Sequence, residues 1–147
     1  MSPTDRTEIK DLINRFYRLV DSGKADETVD LFTPDARLNF GPGAPQPGTI
    51  EGAAIGQAMQ ARAQVQNVVT RHVLTNFAFE QTGADTASVT SLLTLYRHDG
   101  PLGEGIWPNT IPASIADVQE KVVRTGDGWR ICERVISPIF NRPAAAA

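Results

Sequence analysis

Apolar residues recur at spacings of three and four near the start of the chain and at spacings of two near its end. Ile9, Leu12, Ile13, Phe16, Leu19 and Val20 form one stripe, the pattern of an amphipathic helix. Its start is marked by Ser2, Pro3 and Asp5: a capping hydroxyl, a proline suited to the first turn, and a carboxylate at the positive end of the helix dipole. Gly23 predicts its stop. A short second helix is predicted over "ADETVDLF", with Val29, Leu31 and Phe32 inward and Pro34 ending it. "ARLNF" (Ala36–Phe40) reads as a short strand. "EGAAIGQAMQARAQV" (Glu51–Val65) is rich in Ala, Gln and Met and predicts a third helix.

After Val65 the period changes. Strands are predicted over Val68–Glu80, Thr86–His98, Ser114–Thr125 and Trp129–Phe140, with hairpin turns at "TGAD" and "GDG". Between the second and third of these lies "DGPLGEGIWPNTIPA", whose glycines, prolines and Ile106–Trp107 pair predict a mobile flap. One domain over 1–143 is expected, with 144–147 a disordered tail. Helices first and long strands after imply an α+β fold. The expected architecture is a cone-shaped α+β barrel, three N-terminal helices packed on a strongly curved, mostly antiparallel sheet. A cone has a mouth, and a mouth admits a ligand.

Composition narrows the chemistry. The chain of 147 residues suits one domain, and with 41% hydrophobic and 21% charged residues it can bury a core. The net charge of −3 is spread without a basic stripe, which argues against nucleic acid as partner. No apolar run approaches the ~18 residues of a membrane span, and "MSPTDRTEIK" lacks the apolar centre of a signal peptide. The single cysteine, Cys132, excludes an internal disulfide; a cytoplasmic protein is expected. His72, His98 and Cys132 show no metal-ligand spacing, so no metal is expected. No dinucleotide fingerprint or P-loop occurs, and no cofactor is expected. "GPGAPQPG" (Gly41–Gly48) is glycine-rich, but its prolines remove the amides a phosphate cradle uses; it reads as a stiff loop.

The polar residues that interrupt these patterns are the candidates for chemistry. In "VVTRHVLTNFAFEQ" the strand period turns Arg71 and His72 to opposite faces. His72 would share its face with Thr70, Leu74 and Asn76, a half-polar set that fits a wet pocket better than a dry core. A neutral imidazole, with its unperturbed pKa near ~6.5, suits a general base; the bland alternative is a strand histidine bonded to a neighbour. Asp21 sits near a helix C-terminus, where a carboxylate opposes the dipole, in line with Ile13 and Tyr17 at intervals of four. Tyr17 packs in the core or binds substrate. His98 ends a strand and reads as a rim or turn residue. Trp107 is a lid or an oligomer contact. Arg71 reads as outward and ion-paired, Trp129 as core, Cys132 as inert and Asp35 as a turn residue.

The order of elements, with "FYRLVDSGKADETVDLFTPDARLNF", "TRHVLTNFAFEQTGADTASV" and "GDGWRICERVI", resembles the SnoaL-like family of the nuclear-transport-factor-like cone superfamily, whose relatives include scytalone dehydratase and hexachlorocyclohexane dehydrochlorinase. The resemblance runs from about Ile9 to Phe140 and speaks to fold more than to reaction. In the dehydratase and dehydrochlorinase branches an Asp at the end of the first helix holds a His on the strand after the third; "LVDSG" and "TRH" put Asp21 and His72 at those places. The dehydratase's second histidine is matched only by His98, offset by one residue and so turned to the other face. Its Asn has no counterpart in "DVQEKVV", and the dehydrochlorinase's Lys is replaced by Phe16. Neither named activity therefore transfers; what the resemblance still implies is a cofactor-independent lyase, of the dehydratase (elimination) or carbon–carbon cleavage type, acting on a small apolar, aromatic or cyclic molecule. His72 would be the base and Asp21 its orienter, with Tyr17, Phe40, His98 and Trp107 as substrate-binding side chains. An isomerase or cyclase on the same scaffold, or a non-catalytic carrier of a hydrophobic ligand, is the alternative. A homodimer or homotrimer is expected.

Overall fold

In a computed structural model, residues 1–101 and 111–143 are described. The predicted flap's centre, with Ile106 and Trp107, and the tail 144–147 lie outside the described residues. Helix α1 (Pro3–Asp21) starts on a complete capping box: Ser2 Oγ accepts from the Asp5 amide, and the Asp5 carboxylate accepts from the Ser2 amide. Its predicted stripe is the buried face, with Ile9 and Ile13 fully covered. It ends before Gly23, whose φ of 78° suits glycine.

The next segment is a 3-10 helix (Ala25–Leu31) rather than an α-helix. Three residues per turn bring Ala25, Thr28 and Leu31 to one side. Val29, expected inside, is therefore 48% exposed. Strand β1 (Phe32–Phe40) follows directly and is longer than predicted; Asp35 is an exposed strand residue, not a turn residue. The proline-rich loop returns as strand β2 (Gly48–Glu51), then α2 (Ala53–Gln64). The long strands are β3 (Val68–Gln81), β4 (Thr86–Asp99), β5 (Ser114–Thr125) and β6 (Gly128–Asn141), each within two residues of its predicted span.

The sheet order is β2-β1-β6-β5-β4-β3. All neighbours are antiparallel except β1 and β6. The architecture is α+β as expected, with two corrections. Only α1 and the 3-10 helix precede the sheet, since β1 and β2 come before α2. And the sheet curves but does not close into a barrel: four-residue β2 and long β3 are its edges. The edge strand β3 instead packs beside α1, which covers the concave face together with side chains such as Val89, Val118, Val122 and Ile131.

Two of the four register slips in the sheet, among the described residues, bear on the site. Pairing of β3 with β4 slips between Thr75 and Ala78, where Asn76 takes φ 58°. Before the slip Thr70, His72 and Leu74 point inward; after it Phe77 and Phe79 do. Asn76, expected beside His72, is thereby exposed. Pairing of β5 with β6 slips between Lys121 and Val122. Trp129 and Ile131 are buried on one side of that slip and Arg134 on the other. These local slips bend the sheet around a cavity.

Candidate active site

The end of α1 and the first half of β3 meet at Asp21 and His72. Three groups of β3 converge on the Asp21 carboxylate. His72 Nδ1 lies 2.6 Å from Asp21 Oδ1, the His72 backbone amide donates to Oδ2 at 2.9 Å, and the Thr70 hydroxyl donates to Oδ1 at 2.7 Å. Arg62, on the last turn of α2, donates to the Thr70 hydroxyl at 3.3 Å. Strand alternation puts Thr70 and His72 on one face, so one carboxylate spans both. Burial pushes the Asp21 carboxyl up, but the His72 ring and amide and the Thr70 hydroxyl outweigh it and hold it below the usual carboxylate range. Asp21 is thus ionised at neutral pH and can only accept. A neutral His72 must then carry its proton on Nδ1, leaving Nε2 as the bare, basic nitrogen.

The imidazole is 14% exposed and borders two concavities. One is an outer depression against Asp11, Asn14, Arg15 and Arg18, polar residues of α1. The other is a cavity of about 530 Å³ under α1 and α2, walled by Phe16, Leu38, Phe40, Met59, Leu93 and Ile136 among others. A concave apolar chamber with a few convergent polar groups is the form ligand sites take, so the inner cavity is the candidate site. His72, Thr70, Arg62, Arg97 and Arg134 are among its polar points, with Ser114 and Asn141.

Tyr17 and Phe40 both line this chamber. The Tyr17 ring lies against His72, centroids 4.9 Å apart. Its hydroxyl is buried without a hydrogen-bond partner among the described residues. Burial above all, with Glu120 and Asp21 adding to it and Arg134 opposing, pushes this phenol up to about 12, so it stays protonated. His98 pairs with Val69 across the β3–β4 ladder, while Arg97 pairs with Thr70. Paired residues share a face, so Arg97, not His98, reaches the chamber; the strand period turns His98 outward. Trp107 lies outside the described residues. Trp129 is buried beneath the Arg124 guanidinium. Cys132 donates to the Lys121 carbonyl, and burial pushes its thiol up, away from reactivity.

The sequence reading missed the chamber's floor. Arg134 and Glu120 are cross-strand partners, 1% exposed each, and form a buried ion pair through Arg134 Nε. The guanidinium lies 4.1 Å from the Phe16 centroid and 5.0 Å from that of Tyr17. A signal existed for Glu120, which shares its alternation with Val118 and Val122. None existed for Arg134, whose inward phase depends on the bulge. Arg62 and Arg97 were likewise missed, being ordinary charged residues until the fold turns them inward.

A family model for the SnoaL-like domain matches residues 2–135. The chain belongs to the SnoaL-like family. Solved structures agree on the fold. A protein from Kribbella flavida, Kfla4162, superposes with a TM-score of 0.76 at 21% identity, covering 95% of this chain and 93% of its own. One from Novosphingobium aromaticivorans, named "Putative Scytalone Dehydratase", gives 0.74 at 15% identity over 98% and 90%. An NTF2-like protein with a cystatin-like fold from Novosphingobium aromaticivorans gives 0.70 at 23% over 92% and 82%. At these identities the likeness is one of fold. No curated protein sequence matches the chain. Among the described residues of this SnoaL-like protein, no helix is long and apolar enough to cross a membrane.

Proposed function

We propose that this SnoaL-like protein is a cofactor-independent lyase whose base is His72 Nε2. The observation that carries the reading is the 2.6 Å contact of Asp21 with His72 Nδ1 at the wall of an apolar chamber. An ionised carboxylate on Nδ1 fixes the tautomer, aims the ring and stabilises the imidazolium once it forms. The substrate is a small molecule with an apolar, cyclic or aromatic body, matched to the aromatic and aliphatic walls. Nε2 takes a proton from carbon, the electron pair of that carbon–hydrogen bond becomes the new double bond, and the carbon–oxygen bond at the neighbouring carbon breaks with its pair leaving on oxygen. The proton on Nε2 passes to the departing oxygen, so the products are an alkene and water, and the base is restored. The dehydratase name of one structural neighbour fits this reaction class.

A second reading, isomerisation, has its own support. The Tyr17 phenol is protonated, without a hydrogen-bond partner among the described residues, and packed against the imidazole, and it could hydrogen-bond an enolate while His72 returns the proton to a different carbon. Assembly as a homodimer or homotrimer belongs to the proposal and is read by light scattering on a sizing column.

The test is turnover of a panel of aromatic and cyclic alcohols and ketones by native protein and His72→Gln. Turnover that the substitution abolishes while binding persists supports the lyase. Binding with no turnover by native protein overturns it in favour of a carrier.

A further inference from the structure

The chamber's polar points are not all of one kind. Three guanidiniums border it, and two of them already hold carboxylates: Arg134 has Glu120, and Arg97 has Asp99 in a fork, Nε and Nη2 at 2.9–3.0 Å. Arg62 has no ion pair among the described residues; its one hydrogen bond goes to the neutral Thr70 hydroxyl. The Asp21 carboxylate nearest to it is occupied by Thr70 and His72. Arg62 and Arg97 flank the same residue, since Thr70 bonds the first and is the ladder partner of the second. A half-buried cation with spare donors, beside a second cation and at the wall of an apolar chamber, is a costly arrangement unless an anion completes it.

We infer that the substrate carries a carboxylate, held by Arg62 with Arg97 beside it, and that this anchor sets the apolar body of the molecule under His72. The inference rests on the reading of this chamber as the active site and deepens it. A planar guanidinium matches a carboxylate through two parallel hydrogen bonds. A monoanion fits better than a phosphate dianion, because Arg62 alone of the three lining guanidiniums lacks an ion pair among the described residues, and Asp21 and Asp99 both act on it. Desolvation first, and then the proximity of Arg97, disfavour the charged form of Arg62; the opposite charge of a bound carboxylate offsets both. The anchor also gives the reaction its geometry. Arg62 bonds Thr70, Thr70 bonds Asp21 and Asp21 bonds His72, so one hydrogen-bonded chain links the anchor to the base, and both line the chamber that would hold the molecule.

The experiment measures binding, not turnover, so it stands or falls separately from the catalytic proposal. Cyclohexanecarboxylate and its uncharged amide are titrated into native protein, Arg62→Gln, Arg62→Lys and Arg97→Gln by calorimetry, with thermal melts confirming folding. Native protein is expected to prefer the carboxylate by about tenfold or more. Arg62→Gln should abolish the preference by weakening the acid alone, Arg62→Lys should keep part of it, and Arg97→Gln should reduce it less. Equal affinity of native protein for acid and amide overturns the inference and leaves Arg62 as a counter-charge to Asp21. So does a preference that survives Arg62→Gln. If instead the carboxylate preference is found but His72→Gln changes no turnover, the anchor stands and the base assignment falls.

Discussion

Two carboxylates, half-buried Asp21 and fully buried Glu120, are bonded to side chains that line the chamber and live in opposite circumstances. Asp21, at the rim, receives three hydrogen bonds and has both oxygens engaged. Glu120, in the floor, pairs with Arg134 through one oxygen, while its Oε2 and both Arg134 Nη atoms lack hydrogen-bond partners among the described residues. Full satisfaction of Asp21 locks the ring it touches, which is what a base needs from its orienting group. The floor pair is sealed by Phe16, Tyr17 and Phe32 around the guanidinium and touches the sheet's centre. Burying two charges with donors to spare is weak support for stability, yet removing one partner alone is costly. The proposed reaction uses the rim pair; the floor pair is built into the packing.

The sharpest break between them is kinetic. His72→Gln should lower kcat by about 10²–10⁴-fold, the usual weight of a positioned base, with the melting temperature little changed; a variant that retains native turnover ends the rim's special status. The floor answers in stability instead. Arg134→Ala leaves Glu120 buried and alone and should cost about 3–5 kcal/mol by urea unfolding, whereas Arg134→Met with Glu120→Leu should come out neutral or up to about 4 kcal/mol more stable. Equal losses from the single and double changes would mean that the pair itself, not the orphaned charge, matters.

Asp21→Asn is expected to fall between these, costing about 1–3 kcal/mol because the charge-assisted bonds from Thr70 and His72 are weakened. It should also change the response to acid. The Asp21 pKa is depressed in the folded state, so its contribution is complete above its unfolded value near ~3.9 and is lost as pH falls through the folded value. Unfolding curves between about pH 6 and 2 should show native protein losing stability at the acid end and the variant losing less of it; parallel profiles would contradict the hydrogen-bond account. The smallest effect belongs to Tyr17→Phe. Its hydroxyl has no partner among the described residues, so stability should change by under about 1 kcal/mol or improve. An unchanged kcat in that variant removes the isomerase reading, and a large fall supports it.

What could be read in the chain itself follows from periods and short-range chemistry. Spacings of three and four placed α1, alternation placed β3 to β6, and Ser2, Gly23 and "GDG" marked the boundaries. Each of these is a local interaction, decided by residues a few positions apart. The family resemblance carried Asp21 and His72, which no spacing links. Other features needed the assembled protein. A 3-10 turn rather than an α-turn exposed Val29, and a bulge at Asn76 changed which β3 residues face inward. The strand pairing that decides between Arg97 and His98 is likewise a contact between distant segments, and a slip of one residue exchanges the faces. The same holds for Arg62, Glu120 and Arg134: a charged side chain looks like surface in a sequence, and only the enclosing sheet and helices make it a wall of the chamber or, for Glu120, the buried partner of one. Periodicity is written along the chain, but enclosure is a property of segments brought together, and chemistry at this site depends on enclosure.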